Sequence, residues 1–341
     1  MKVIDGGQGE GGGQVVRTAL SLAAALRTPV RIENIRAGRP SPGLKHQHLA
    51  GARAIAQLTQ GTLEGDDLGS STLTFRPGLL MGGEYHFPIE TAGSITLLLQ
   101  TLLPALAASR QQFSLELEGG TDVPFAPTWY YFTQVHVPTL QEMGLVIETE
   151  LRAHGYFPAG GGRARVTVDA SGFHEPRFPE RARPKRIRGV SHSNGLPKHI
   201  IQRAAEAAHD ELLAGGYGSD IDLEHHRGPG GGMGISLWTM EGTGFPHRLG
   251  ADAVGQRGRP AEEVGRRAAR ALLADLAAGS DVDAHQADML PPFLALAGGG
   301  AYTVRGLTRH LETTLRVVEA MTGIPCRTEE APKGVRVRVG R

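Results

Sequence analysis

The sequence predicts a layered α/β protein, with one large body and a smaller α/β module inserted late in the chain. Three observations carry this reading. Short apolar runs with strand character alternate with runs of helical spacing over most of the length. A chain of 341 residues exceeds the usual size of one domain, which favours two units or one domain with an insertion. Finally, the pattern changes character after the basic, proline-containing stretch Glu175 to Lys185 and returns to its earlier glycine-marked form near the end.

In order, Lys2 to Ile4 reads as a short strand, Gly6 to Gly13 as a loop, and Gln14 to Leu26 as a helix with Val15, Ala19, Leu22 and Leu26 on one side. Val30 to Ile35 reads as a strand, and about Leu44 to Leu58 as a second helix. Extended pieces follow at Leu73 to Arg76 and Tyr85 to Phe87, then an apolar helix from Gly93 to Ala108. The alternation continues through strand Phe113 to Leu117, helix Trp129 to Met143, and strands Leu145 to Leu151 and Arg163 to Val168. Identity between these blocks is too weak to establish a repeat.

Past the basic stretch come strand Arg186 to His192, helix Lys198 to Leu213, strands Ile221 to His225 and Gly234 to Met240, and helix Ala261 to Ala277, enough for a small α/β module. Gly298-Gly299-Gly300 then opens a closing segment of strand Tyr302 to Arg305, helix Thr308 to Met321 and strand Val335 to Val339.

Charge is nearly balanced, with 36 Lys and Arg against 35 Asp and Glu, so bulk charge offers no argument for nucleic-acid binding and any such site must be local. The single cysteine, Cys326, excludes an internal disulfide and a multi-cysteine metal centre; it fits a reducing compartment and reads as a buried bystander. The first residues have no apolar core of signal-peptide length, and Leu97 to Ala108 is interrupted by Gln100 and Pro104, so a soluble, cytoplasmic protein with no membrane partner is expected. The 48 glycines follow no collagen-like period and cluster where turns or ligand loops would lie.

Three segments could carry chemistry. The run Gly6-Gly7-Gln8-Gly9-Glu10-Gly11-Gly12-Gly13-Gln14 leads straight into a helix. Glycines there can present backbone N–H groups to an anion, and the helix N-terminus adds partial positive charge. A tight connection alone would look the same, and there is no Gly-x-x-x-x-Gly-Lys-Ser/Thr pattern. Glu10 within this loop suits a divalent cation lying between it and phosphate, or is a solvated turn charge.

A second group is Arg17, Arg36, Arg39, Lys45, His46, Gln47 and His48, whose donors could converge on a phosphate; singly they read as surface cations. The third is His310, at the start of a helix whose Leu307, Leu311, Leu315 and Val318 share a face. A histidine there could be a nucleophile whose phosphoryl adduct meets the helix N-terminus. Pattern alone favours a structural role, since the chain has 14 histidines.

Taken together, these segments resemble the RNA 3′-terminal phosphate cyclase family over nearly the whole chain. The marks are Asp5-Gly6 with Gln8 to Gln14, Ile35-Arg36-Ala37-Gly38-Arg39, Pro42-Gly43-Leu44, Gln47-His48-Leu49, Ala92-Gly93-Ser94 and Gly119-Gly120-Thr121-Asp122. His154-Gly155-Tyr156-Phe157-Pro158 with Gly160-Gly161-Gly162, Ala287-Asp288 and His310-Leu311 complete the set. Each is weak alone, but their joint order is specific.

The resemblance implies a large domain of repeated α/β units similar to enolpyruvyl transferases, residues 1–184 and 279–341, with a small thioredoxin-like domain inserted at 185–278. It implies ATP as co-substrate, Mg²⁺ or Mn²⁺ contacted by Glu10, and RNA with a 3′-phosphate end as partner. The residue matching the family's nucleophile is His310, which would take AMP from ATP and pass it to the RNA phosphate, after which the vicinal 2′-hydroxyl closes the ring and expels AMP. Gln100, Pro127, His285, Gln286, Ala287, Asp288 and Met289 would line the nucleotide site, with His285 where an aromatic ring is frequent. Arg17, Arg36, Arg39 and Gln47 would hold phosphates of the nucleotide or RNA end. Met289 and Thr314 depart from the family's usual glutamine and asparagine. Non-catalytic cyclase-like factors of ribosomal RNA maturation lack the histidine that this chain keeps. An enolpyruvyl transferase rests on fold analogy alone.

Overall fold

The computed structural model describes residues 1–175, 184, 186–227, 230–240 and 248–340. Most of the basic stretch, including Lys185 with which the expected insertion begins, lies outside the described residues.

The first unit runs β1 (Lys2–Asp5), α1 (Gly13–Leu26), β2 (Val30–Glu33), α2 (His46–Thr59), β3 (Thr62–Glu64) and β4 (Leu73–Arg76). Its sheet has the order β1-β2-β4-β3, with β1 parallel to β2 and the other neighbours antiparallel. α1 is helical because Val15, Val16, Ala19, Leu20, Leu22 and Ala23 give it an apolar surface that the core covers. It stops where Arg27 turns left-handed at φ 50° and returns its N–H to the last carbonyls.

The second unit follows the same plan. β5 (Gly83–Pro88), α3 (Ile95–Ser109) and β6 (Gln112–Gly119) lead to a composite helix, α4 (Trp129–Tyr131), a π-helical stretch Phe132–His136, and α5 (Val137–Glu142). β7 (Val146–Ala153) and β8 (Gly162–Asp169) complete a sheet of order β5-β6-β8-β7, again with the first pair parallel. Shared topology shows what weak block identity could not.

β9 (Arg186–Asn194), α6 (Lys198–Ala214), β10 (Ser219–His226), β11 (Gly232–Met240), β12 (Gly250–Val254) and α7 (Ala261–Ala278) form a different sheet, β10-β9-β11-β12, with β9 parallel to β10. The chain ends in α8 (Ala284–Met289), α9 (Pro291–Ala297), β13 (Gly300–Val304), α10 (Arg309–Thr322), β14 (Cys326–Ala331) and β15 (Gly334–Val339), whose sheet is wholly antiparallel, β13-β15-β14.

One apolar core joins the first, second and last sheets through α1, α3 and α10. A separate core, including Ile187, Ile201, Ile235, Leu237 and Leu272, belongs to the β9–β12 sheet and its two helices. Tyr131, Val135, Val190, Trp238 and Met289 pack as a third cluster drawn from both parts.

Several expectations are corrected. β2 ends at Glu33, not Ile35, because Asn34 and Arg36 take left-handed φ values of 53° and 55°. α2 begins at His46 and α3 at Ile95, and α3 continues through Pro104. Leu307 is exposed ahead of α10 and does not join Leu311, Leu315 and Val318 in the core. Cys326 is partly exposed. β3, β12, β14, α8 and α9 were not anticipated; β14 lies open to solvent along its length and carries no apolar alternation to read. Among the described residues no helix is long and apolar enough to cross a membrane.

Candidate active site

The glycine loop joins β1 to α1 and folds against the start of α10. The peptide N–H of Glu10 donates to Thr313 Oγ1 at 3.0 Å, and Thr313 in turn donates to the Arg309 carbonyl at 2.6 Å. Gln14 Nε2 reaches Thr314 Oγ1 at 3.1 Å, so two adjacent threonines of α10 fasten the loop and the first turn of α1. This close approach favours glycine at Gly9, which sits at φ +64° and where a Cβ would stand 2.1 Å from Thr313 Oγ1.

Two helix N-termini therefore face the same place. That of α1 has Gly12 as its N-cap and no side-chain cap, which leaves its first N–H groups available to an anion. α10 is capped by Thr308, which accepts from Leu311 N–H at 3.0 Å, and His310 is exposed in its first turn.

Glu10 is the hub. Its side chain is almost covered, with one oxygen accepting from Arg39 and the other 3.5 Å from His310 Nδ1. Arg39 also donates to the Glu10 carbonyl at 3.0 Å. A carboxylate on Nδ1 selects the tautomer whose lone pair is on Nε2, the ring nitrogen left to attack. Partial burial lowers the His310 pKa; Glu10 opposes that and Arg17, Arg39 and His285 add to it, so the ring is neutral at pH 7.

Arg17 is a half-buried cation of the site. Its Nη2 donates to Gln14 Oε1 at 2.7 Å, while Nε has no hydrogen-bond partner among the described residues. Burial draws its pKa down to about 10 against Glu10 and Asp288, leaving it charged at neutral pH. It lines a cavity with Gln14, Gln100, His136, Asp288 and Met289. Burial pushes Asp288 up to about 7, where the Thr308 hydroxyl donates to it at 3.0 Å.

The structure thus brings Arg17, Gln100, Asp288 and Met289 around one cavity, with Glu10, Arg39 and His310 grouped together within electrostatic reach of Arg17. Other expected site residues have protein partners of their own, although Arg36 remains within electrostatic reach of Glu10 and Arg39. Arg36 donates to the carbonyls of Ser41 at 2.6 Å and Gly43 at 3.1 Å, and Gln47 exchanges hydrogen bonds with the Ser94 backbone. The Pro127 carbonyl accepts from Thr96. His48 accepts from Lys45 N–H at 3.0 Å, with burial and then Arg17 holding its pKa down at about 3, so it is a neutral helix-start residue. His46 is exposed, and Lys45 reaches Ser41.

In the Ala284–Met289 helix, Gln286 turns its amide inward to Val135 and Thr139, and the Ala287 carbonyl accepts from Tyr302. His285 lies edge-on to Tyr131, its Nε2 3.3 Å from Asp252; burial disfavours its charged form, but Asp252 and Asp283 outweigh this and hold its pKa at about 9.

Thr313, Asp252 and Asp283 were missed by the sequence reading. Asp283 caps α8 and accepts from Gly250 N–H at 2.9 Å and from Tyr131. Its place just before a helix was a readable N-cap signal. Thr313 and Asp252 offered none, since their partners are remote in sequence.

As to metal, Glu10 Oε2 is held by Arg39, and Oε1 retains acceptor capacity beside His310. A single hard oxygen donor next to a phosphate cradle suits Mg²⁺ or Mn²⁺, which take one or two carboxylates and complete their shells with phosphate and water.

A family model described as RNA 3′-terminal phosphate cyclase matches residues 8–328. Proteins named RNA 3′-terminal phosphate cyclase are 43% identical over 330 residues in Methanothermobacter thermautotrophicus, covering 96% of each chain. The corresponding protein of Caldivirga maquilingensis is 45% identical over 349 residues, covering 99% of this chain and 98% of its own. That of Hyperthermus butylicus is 44% identical over 333 residues, covering 94% and 91%.

Proposed function

The chain belongs to the RNA 3′-terminal phosphate cyclase family, and from that premise we propose that it converts an RNA 3′-terminal phosphate into a 2′,3′-cyclic phosphodiester, with ATP as co-substrate and His310 as the nucleophile. The observation that carries this reading is the exposed His310 ring at the start of α10 with the Glu10 carboxylate on its Nδ1.

His310 Nε2 attacks the α-phosphorus of ATP, forming a P–N bond as the bond to pyrophosphate breaks. An oxygen of the RNA 3′-phosphate then attacks that phosphorus and releases the histidine, leaving AMP joined to the RNA end. The vicinal 2′-hydroxyl attacks the activated RNA phosphate, loses its proton, and expels AMP. Activation is needed because a phosphate monoester has no good leaving group; the closing step is intramolecular and benefits from proximity.

Arg17 and Arg39, with the uncapped start of α1, hold phosphate oxygens in this scheme. Arg36 and Gln47 contribute by shaping the loop walls they bond to, or release those carbonyls when a phosphate enters. Gln100, Pro127, Met289 and the His285–Asp288 segment take the nucleoside, with the His285 ring against the base. Glu10 Oε1 is the protein contact for Mg²⁺ or Mn²⁺, which would offset charge on the triphosphate.

In this reading residues 1–184 and 279–341 are the catalytic body and 185–278 a thioredoxin-like insertion. The shared strand order of the first two units and the separate β9–β12 core support it. We place the protein in the cytoplasm, consistent with its single cysteine. Low aromatic content, 5% of residues, leaves few base-stacking platforms, so recognition rests on the terminal phosphate and RNA backbone with slight base preference.

The test is incubation with α-labelled ATP and Mg²⁺ or Mn²⁺, wild type against His310→Ala, followed by RNA bearing a 3′-phosphate. An acid-labile protein-AMP adduct in wild type alone, discharged by RNA as it gains a cyclic end, is the expected result. No adduct with either metal and an unaltered RNA end would sink the reading and favour a non-catalytic relative.

A further inference from the structure

Away from the cleft, a second cluster of chemistry-bearing side chains lies where the first body meets the β9–β12 sheet. In the parallel pairing of β9 and β10, Glu224 lies opposite His192, and the two-residue step along β10 sends His226 to the same face as Glu224. The loops after β6 and β7 bring Asp122 and His154 to that face. Asp122, His154 and His192 are buried, whereas Glu224 and His226 keep side-chain exposures of 35% and 46%.

The hydrogen bonds here leave a specific vacancy in valence. His154 Nδ1 is 3.1 Å from Asp122 Oδ2, which fixes the proton on Nδ1 and the lone pair on Nε2. That Nε2 is buried and has no hydrogen-bond partner among the described residues; neither has His192 Nε2. The other His192 nitrogen is 2.6 Å from the Tyr156 hydroxyl, and Glu224 Oε2 accepts from Tyr130. A buried lone pair beside another imidazole and a carboxylate is costly unless a cation meets all three. Donor atoms of His154, Glu224 and His226 lie within 4.8 Å of one another. His226 Nε2 and Glu224 Oε2 are 3.3 Å apart. Tetrahedral bonds of roughly 2.0–2.1 Å require ligand separations of about 3.3–3.5 Å.

We propose that His154, Glu224 and His226 bind one divalent transition-metal ion of the zinc type, which ties β10 to the loop following β7. Two imidazoles and one carboxylate suit zinc and disfavour magnesium, which prefers oxygen donors. Asp122 orients the His154 ring from behind, as carboxylates do for metal-bound histidines, and its buried charge counts toward neutralising the ion. The half-exposed side of Glu224 and His226 leaves the fourth position to solvent. His192 braces this arrangement, stacked on the His154 ring with one nitrogen 2.6 Å from the Tyr156 hydroxyl and Nε2 3.6 Å from Asp122 Oδ1. This site shares no residue with the His310 cleft, so it stands independently of the cyclase reading.

The test uses the full, tag-free chain stripped with chelator and titrated separately with Zn²⁺, Co²⁺ and Mg²⁺. One equivalent of Zn²⁺ should bind, Co²⁺ should give the visible absorption of a four- or five-coordinate site, and Mg²⁺ should not compete. His226→Ala and Glu224→Gln, both at half-exposed positions, should each weaken Zn²⁺ binding by about tenfold or more, while Glu10→Gln and His310→Ala leave it unchanged. The proposal is overturned if wild type takes up no stoichiometric Zn²⁺, if both β10 variants bind it as tightly as wild type, or if Glu10→Gln abolishes binding.

Discussion

Glu10 and His310, near opposite ends of the chain, meet with carboxylate Oε1 3.5 Å from imidazole Nδ1. The contact exists because α1 and α10 pack side by side, and because Thr313 accepts from the Glu10 N–H and Thr314 from Gln14 Nε2 across the seam. Catalytic hydrogen bonds are commonly longer in the unliganded state and tighten around substrate, so this spacing suits a pair that orients a nucleophile.

The first prediction concerns the protonation of His310. Its pKa is lowered, by burial first and by Arg17 and Arg39 after it, with Glu10 acting in the opposite direction. Arg39→Gln removes one cation and frees Glu10 from its main partner, and both effects favour imidazolium. An NMR titration of His310 should show an inflection below 6.5 in the wild type and a higher one in Arg39→Gln. An unchanged or lower value would refute the electrostatic account.

Thr313→Val deletes the acceptor of the Glu10 N–H while keeping side-chain volume. The glycine loop loses its anchor to α10, at a stability cost of about 1 kcal/mol. Adenylation should slow more than that modest destabilisation accounts for, since Glu10 is then poorly held beside His310. Gly9→Ala, whose Cβ would meet the same hydroxyl, should act in the same direction. Chemical denaturation alongside single-turnover adduct formation checks both.

Thr314 both donates to the His310 carbonyl at 3.0 Å and accepts from Gln14 at 3.1 Å. Thr314→Val leaves the buried Gln14 Nε2 only the longer bond to Thr18, at 3.4 Å. A loss of roughly 1–3 kcal/mol is expected for a buried donor deprived of its partner. Equal unfolding midpoints for Thr314→Val and wild type would show the bond to be dispensable.

A fourth prediction concerns acid stability. Burial depresses the pKa of His136 to about 4. The unfolded chain, with histidine near 6.5, then binds more protons than the folded one, so this residue's contribution falls as pH drops from about 6.5 to about 4. The same sign holds for His48 and His192, while Asp288, raised to about 7, works the other way in this range. Comparing variants isolates the effect: between pH 7 and 4.5, wild type should lose more stability than His136→Phe. Parallel pH profiles would contradict it.

The sequence by itself determined the main elements and most of the candidate site. Apolar spacing placed α1, α6, α7 and α10, since each buries one face whose periodicity is local information. The glycine loop and His310 carried motifs, so resemblance reached Glu10, Arg17, Arg39 and His310 before any contact was known. Only the tertiary structure decided which side chains converge. Arg36 and Gln47 were indistinguishable in sequence from Arg39 and Arg17; in the fold Arg36 bonds the Ser41 and Gly43 carbonyls and Gln47 the Ser94 backbone, while Arg39 reaches Glu10 and Arg17, half-buried, bonds Gln14. Thr313 and Asp252 left no trace in the pattern, and Asp122 and His154, though parts of motifs, gave no sign of meeting His192, Glu224 and His226, because those partners come from distant segments. Register and helix packing set those distances, and neither is encoded in any short window of residues.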